Sequence, residues 1–292
     1  MFDSSPTAVL FPGQGSQTKD MRALVAAVRP DLLDAAIELI GEDPFPRVEE
    51  STRYAQPAIL CASLASWTRL RGYVDPVAFA GHSLGEFSAL AAAGAILDHD
   101  ALRLVVLRGD HMARSGEACG GGTMLAVLGA SPTAAAALAA RHGVSLANDN
   151  APGQVVLSGS PAALEGAHED AEAQGLRALP LGVAGAFHSP QMQGAVAPFG
   201  AALREVAFLE PDVPVISCAT AAPFTDPATQ LAEALVAPVR WRETMDALAD
   251  FGSAFYVDSG PGRVLSKLAP RCIKGARAVA AEALLEDIGA RV

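Results

Sequence analysis

Two rhythms of apolar and polar residues follow one another along this chain. Residues 7–11 (TAVLF) are an unbroken apolar run closed by Pro12-Gly13 and the loop Gly13-Gln14-Gly15-Ser16-Gln17, which predicts a short buried strand and a turn. Helical stretches follow around residues 21–40 and 56–70. A second buried strand is predicted over residues 77–80, running straight into Gly81-His82-Ser83-Leu84-Gly85. An alanine-rich helix over 84–93 comes next, then another over about 100–112. Strands alternating with helices predict an α/β fold, with a mainly parallel sheet covered on both faces.

The rhythm changes after Gly120-Gly121-Gly122, a candidate hinge. Strand over 124–128, helix over 132–141, strands over 144–147 and 154–158, helix over 161–174 and strand over 177–181 give the order β-α-β-β-α-β. That is the split unit of a ferredoxin-like domain. The first rhythm then resumes, with helices over 196–206, 228–235 and 243–251 and strands over 213–217 and 254–257. The expected division is a discontinuous large α/β domain, residues 1–122 with 191–292, and a small inserted domain, 123–190.

At 292 residues, 51% apolar and 18% charged, the chain is long enough for a sizeable core and too apolar for disorder. A net charge of −11 argues against a nucleic-acid partner, which would call for a basic face. Cys61, Cys119, Cys218 and Cys272 lie far apart without a Cys-x-x-Cys pair, so free thiols in a reducing compartment are expected. The N-terminal segment MFDSSPTAVLFPG has no basic region before a long apolar run, and charges interrupt every alanine-rich run short of spanning length. A soluble, cytoplasmic protein without a membrane segment is the expectation.

Gly81-His82-Ser83-Leu84-Gly85 fits G-x-S-x-G between a strand and a helix, as that motif requires. There the serine occupies a strained turn that lifts its Oγ above the end of the strand, and glycines two residues to either side avoid a collision. The Leu84 N–H at the helix start can donate to a developing oxyanion. A plainer reading is available, because Ser83-x-x-Glu86 also fits a capping box. A nucleophilic serine needs a base, and there are six histidines. His82 adjoins the serine but points away from the elbow. His99, in Asp98-His99-Asp100, reads as an exposed helix start rather than a metal site. His111 sits on a helix, His142 closes another, and His168 lies in a solvated charged run. His188, on the loop leaving the last small-domain strand, overlooks the junction between domains, with a purely structural role as its alternative.

Phe11-Pro12-Gly13-Gln14-Gly15-Ser16-Gln17, Gly81-His82-Ser83-Leu84-Gly85-Glu86, Arg108-Gly109, Asn148-Asp149-Asn150-Ala151-Pro152-Gly153-Gln154-Val155-Val156, Gly185-Ala186-Phe187-His188-Ser189 and Asp258-Ser259-Gly260-Pro261-Gly262 occur along this one chain. Together, from about residue 8 to 270, they resemble the malonyl-CoA:acyl-carrier-protein transacylases and the related acyltransferase domains of polyketide synthases. The resemblance implies a hydrolase-like α/β domain with a ferredoxin-like insert. It implies Ser83 as nucleophile, His188 as general base and acid, and backbone N–H groups of Gln14 and Leu84 as the oxyanion hole. Arg108 would bind the free malonyl carboxylate, which a planar guanidinium can hold by two parallel hydrogen bonds; its alternative is a surface arginine. Phe187 would fill the space that an α-methyl branch needs. Gln154 and Arg177 fall at positions near the coenzyme or carrier phosphopantetheine, with a solvated surface role as the alternative. Ala234 stands where the family often has Gln, and its backbone carbonyl would still orient the histidine. The segment after Gln17 is shorter than usual in the family.

The implied reaction is ping-pong transfer of malonyl from malonyl-CoA to the phosphopantetheine thiol of an acyl carrier protein, by a monomer with no metal and no bound cofactor. Fatty acid synthesis is the expected pathway, with a free-standing polyketide acyltransferase as the alternative. Since carriers are normally acidic, docking would use a local basic patch against the global charge. A thioesterase of the α/β-hydrolase type is a rival, but it expects Ser, Asp, His in chain order and a His-Gly-Gly-Gly-type loop; here His188 precedes Asp258 and no such loop occurs. A docking-only member of the same fold is the second rival, and the intact Ser83, His188 and Arg108 set argues against it.

Overall fold

The computed structural model describes residues 5–290. Residues 1–4, which begin the segment read as lacking a signal peptide, and residues 291–292, at the end of the larger expected domain, lie outside the described residues. Ten strands are described: β1 (Thr7–Phe11), β2 (Pro76–Gly81), β3 (Thr123–Leu128), β4 (Ser145–Ala151), β5 (Gln154–Gly159), β6 (Arg177–Leu181), β7 (Val215–Ser217), β8 (Ala222–Pro223), β9 (Phe255–Asp258) and β10 (Arg277–Ala280). They form two separate sheets.

The larger sheet runs β10-β9-β1-β2-β7-β8, parallel throughout except for the β7–β8 edge pair. Every residue of β1 is buried, as a central strand covered on both faces demands. Phe11, Phe79, Ile59 and Leu64 pack on one face, and Leu10, Tyr256, Trp241 and Met245 on the other. The helix Thr52–Leu70 is apolar nearly all round and buried along most of its length, which fits a helix enclosed within the molecule rather than lying on its surface. The single helix expected over 21–40 is two, Met21–Val28 and Pro30–Ile40. Pro30 disfavours helical backbone at Arg29, which leaves the helix at φ −137°, and then starts the next one at its first turn.

The smaller sheet, β4-β5-β3-β6, is antiparallel throughout, and its elements follow the β-α-β-β-α-β order expected from the sequence. Its helices Pro132–His142 and Pro161–Ala173 start alike: a serine accepts from a backbone N–H three residues on, and proline follows it. Alternation along β3 sends Leu125 and Val127 to the core under these helices, and Met124 and Ala126 to the core shared with the large sheet. Backbone bonds of 2.8 Å between Asp149 N and Val239 O, and between Val239 N and Ala147 O, tie β4 to the segment leading into Trp241. Arg242 adds a 2.7 Å ion pair to Asp149.

Strand β4 continues to Ala151 rather than stopping at 147, and the helix Val264–Cys272, β10 and the helix Ala281–Gly289 carry no sequence expectation. Among the described residues no helix is long and apolar enough to cross a membrane.

Candidate active site

The loops leaving the carboxyl ends of β1, β2, β7 and β9 converge, as open parallel sheets favour for their sites. Ser83 follows β2 with φ +52°, a left-handed backbone that a side-chain-bearing residue adopts only under constraint. The constraint is visible. A Cβ on Gly81 would lie 1.9 Å from the Gly85 carbonyl carbon, and one on Gly85 would lie 2.0 Å from the Phe11 carbonyl oxygen. The elbow is thus pressed against the end of β1, and neither position tolerates a side chain. Ser83 is no helix cap: Leu84 precedes the helix Gly85–Ala92 without a side-chain cap. Glu86 turns inward instead, accepting from Ser217 Oγ at 2.9 Å and from the Cys218 N–H at 2.8 Å. Cys218 Sγ in turn accepts from the Ser83 N–H at 3.3 Å.

His188 crosses 105 positions of sequence to place Nε2 2.8 Å from Ser83 Oγ. It too has a left-handed backbone, φ +55°. Its Nδ1 lies 3.0 Å from both the Ala234 and the Ala237 carbonyl oxygens. Carbonyls only accept, so Nδ1 carries the hydrogen and Nε2 is left as the acceptor for the Ser83 proton. Among the described residues no carboxylate stands behind the imidazole; two backbone dipoles orient it. Burial first, and then the Arg108 charge, push the imidazole pKa down to about 3.

Arg108 is 3% exposed, so it is no surface arginine. Its Nη1 donates to Gln56 Oε1 at 2.7 Å and its Nη2 to Ser83 Oγ at 3.0 Å. Gln56 is held in turn, donating to Thr52 Oγ1 at 2.8 Å. Burial lowers the guanidinium pKa to about 10, partly offset by the Glu86 charge, so it remains a cation at neutral pH. A buried cation without a carboxylate in contact is costly, and fits a site that receives an anion.

Gln14 and Leu84 both border the resulting cleft, and neither N–H donates to another protein group among the described residues. Gly13 sits so close to the elbow that a Cβ there would be 2.5 Å from the His82 carbonyl oxygen. The cleft encloses about 860 Å³, part of it open to solvent, between the carboxyl ends of the large sheet and Met124, Val156 and Leu181 of the small one. Phe187 is 6% exposed and borders it beside His188. Gln154 lies on its rim and accepts a hydrogen bond from Arg271. Arg177 does not reach the cleft. It is exposed at the start of β6, while Leu181, at the other end of that strand, lines the wall roughly 13 Å away at strand rise.

His82 points away from Ser83, as expected; its Nε2 donates to Asn150 Oδ1 at 2.8 Å and its ring lies tilted against Trp241, centroids 5.3 Å apart. His99 is exposed beside Asp31, and no group of three His, Cys, Asp or Glu among the described residues could hold a metal ion. His168 is not simply solvated: it is half-buried, with Glu172 at 3.3 Å. Gln56, Ala237 and Asn150 carry no role in the sequence reading, and Glu86 only that of a capping-box partner. A glutamine within an otherwise apolar buried helix, and two asparagines one strand period apart, were the available signals for Gln56 and for the Asn148–Asn150 pair.

The chain matches the family described as acyl transferase domain over residues 36–287. It is 36% identical to the malonyl CoA-acyl carrier protein transacylase of Haemophilus influenzae, covering 93% of this chain and 94% of that one. The crystal structure of a malonyl-CoA:acyl carrier protein transacylase from Xanthomonas oryzae superposes with a TM-score of 0.90 at 34% identity, covering 99% of this chain and 98% of that one. A malonyl-transacylase in complex with the acyl-carrier protein of a type II polyketide synthase superposes with a TM-score of 0.88 at 32% identity, covering 97% of this chain and 100% of that one.

Proposed function

The chain belongs to the acyl transferase domain family, and from that premise we propose that Ser83, His188 and Arg108 are the residues that carry its chemistry. The activity is transfer of a malonyl group from malonyl-CoA to the phosphopantetheine thiol of an acyl carrier protein. One observation carries the residue assignment: an imidazole nitrogen at 2.8 Å and a guanidinium nitrogen at 3.0 Å meet on a single serine oxygen.

The mechanism follows from what each group can donate or accept. Ser83 Oγ attacks the thioester carbonyl as its proton passes to His188 Nε2, the only ring nitrogen without a hydrogen. The Gln14 and Leu84 N–H groups stabilise the oxyanion. Collapse expels the coenzyme A thiolate, which takes the proton from Nε2, and the carrier thiol then enters and reverses the steps. Arg108 grips the free carboxylate, and Phe187 fills the space beside the α-carbon. Ala234 and Ala237 act through their carbonyls. Every proton in this scheme has a donor and an acceptor on the chain or the substrates, which supports a reaction without metal or bound cofactor.

Carrier docking is read onto the cleft mouth. Arg263, Lys267 and Arg271 stand one helical turn apart along the helix whose Val264, Leu265 and Leu268 border the cleft. Residues 259–281 hold five cations and no Asp or Glu in a chain of net charge −11. This is the local basic patch that an acidic carrier would need. The two sheets support the division into a large unit, 1–122 with 191–292, and a small one, 123–190. One chain supplies the whole site, which supports a working monomer, and four free cysteines support a reducing, cytoplasmic setting.

Extender supply for fatty acid synthesis is the favoured pathway. A polyketide pathway is the second reading, favoured by the similarity to the transacylase seen with a polyketide carrier. The test is transfer to a carrier from malonyl-, methylmalonyl- and acetyl-CoA. Malonyl should lead acetyl by about tenfold or more, since a missing charged contact costs at least that, and should lead methylmalonyl through the space that Phe187 fills. Ser83→Ala should abolish all transfer, and equal rates for the three esters would defeat the roles of Arg108 and Phe187.

A further inference from the structure

We infer that Arg108 is a latch on the nucleophile: it occupies Ser83 Oγ in the free enzyme, and a carboxylate on the incoming acyl group releases it. The inference rests on the roles given above to Ser83 and Arg108, and extends them from binding to activation.

The Arg108 guanidinium is buried, and among the described residues no carboxylate oxygen lies within ion-pair distance of it. Glu86 acts on it through longer-range charge, while its Oε1 accepts from Ser217 and Cys218. Its hydrogen bonds go to the Gln56 amide oxygen and the nucleophile, and the Phe87 ring lies 6.0 Å from it. Ser83 Oγ has one hydrogen and two lone pairs. The hydrogen goes to His188 Nε2, which can only accept, and one lone pair is taken by Arg108 Nη2. A lone pair held in a charge-assisted hydrogen bond is less available for attack. After burial, the same positive charge is the next influence opposing protonation of His188. The resting site therefore restrains the nucleophile and its base together.

A malonyl carboxylate offers the guanidinium two charged oxygens in place of one neutral hydroxyl. As it takes the guanidinium, the Oγ lone pair is freed and the charge opposing imidazolium formation is cancelled. The freed pair then forms the Oγ–C bond, the Oγ proton passes to Nε2, and the C–S bond breaks with the proton returning to the coenzyme A thiolate. An acetyl thioester brings no carboxylate and meets a latched serine. Discrimination then lies in the acylation rate as well as in binding.

The test supplies the acyl group and the carboxylate as separate molecules. Acetylation of Ser83 by acetyl-CoA is followed by intact-protein mass, with sodium formate or with sodium chloride at equal ionic strength. Formate should raise the wild-type rate by about tenfold or more, the worth of one charge-assisted hydrogen bond. It should not raise the rate of Arg108→Ala, or of Arg108→Gln should the first variant fail to fold. A wild-type rate that formate leaves unchanged or lowers overturns the latch, and so does equal acceleration of a folded variant. The wild-type arm decides by itself if neither variant folds. Malonyl-CoA in the same assay separates the two levels: no malonyl adduct on Ser83 removes the underlying reading, whereas a normal adduct without a formate effect removes the latch alone.

Discussion

His188 is a base held neutral by its surroundings rather than by a carboxylate partner. Its pKa, pushed down to about 3, contrasts with about 6.5 for an unperturbed imidazole. The folded chain therefore binds this proton less readily than the unfolded chain does. The stability tied to the neutral ring is complete above about pH 6.5 and is lost as the pH falls towards 3. Catalysis should show the same independence. In the free enzyme, kcat/KM for malonyl-CoA is expected to be flat from about pH 5 to 8, and an inflection near 6.5 would contradict a buried neutral base. Gln56 is the second residue to test, since its amide positions Arg108. Gln56→Ala leaves a buried N–H unpaired and should cost about tenfold or more in malonyl kcat/KM. At this scale the motifs made Ser83, His188 and Arg108 legible. Ala237 was not legible, because a backbone carbonyl has no sequence signature, and for Arg177 the sequence did not say which end of β6 faces the cleft.

The elbow works as an element because β1, the turn and the helix Gly85–Ala92 interlock through backbone atoms. Gly85→Ala would drive a Cβ into the Phe11 carbonyl oxygen, 2.0 Å away, where no flexible side chain can yield. A loss of about 3 kcal/mol or more is expected by thermal or denaturant unfolding, with loss of acyl-enzyme formation. A variant as stable and active as wild type would show that the turn is not so constrained. The alternation of apolar runs carried most elements, and the change of rhythm after Gly122 marked the second sheet. Boundaries went astray where a local rule competed with periodicity. Pro30 split one expected helix, and Asn148-Asp149-Asn150 continued β4 despite low strand propensity, since Asp149 pairs with Arg242 and Asn150 with His82. The helix Val264–Cys272 went unread; Pro270 stands inside it, where a proline ordinarily argues against helix.

At the scale of the molecule, charge and cleft geometry act together. A chain of net charge −11 concentrates cations at the mouth of a cleft closed by two sheets. Lys267→Glu should slow transfer to an acidic carrier by about tenfold at low salt, with a smaller effect on acylation by malonyl-CoA. The wild-type carrier rate should fall as salt rises, and a salt-independent rate would place docking elsewhere. The central claim concerns the covalent intermediate, and its mass measures it directly. After brief exposure to malonyl-CoA, the peptide bearing Ser83 should carry one malonyl group, which should then move to the thiol when phosphopantetheine-loaded carrier is added. An unmodified Ser83, or an adduct that discharges to free malonate while the carrier stays bare, would contradict the account.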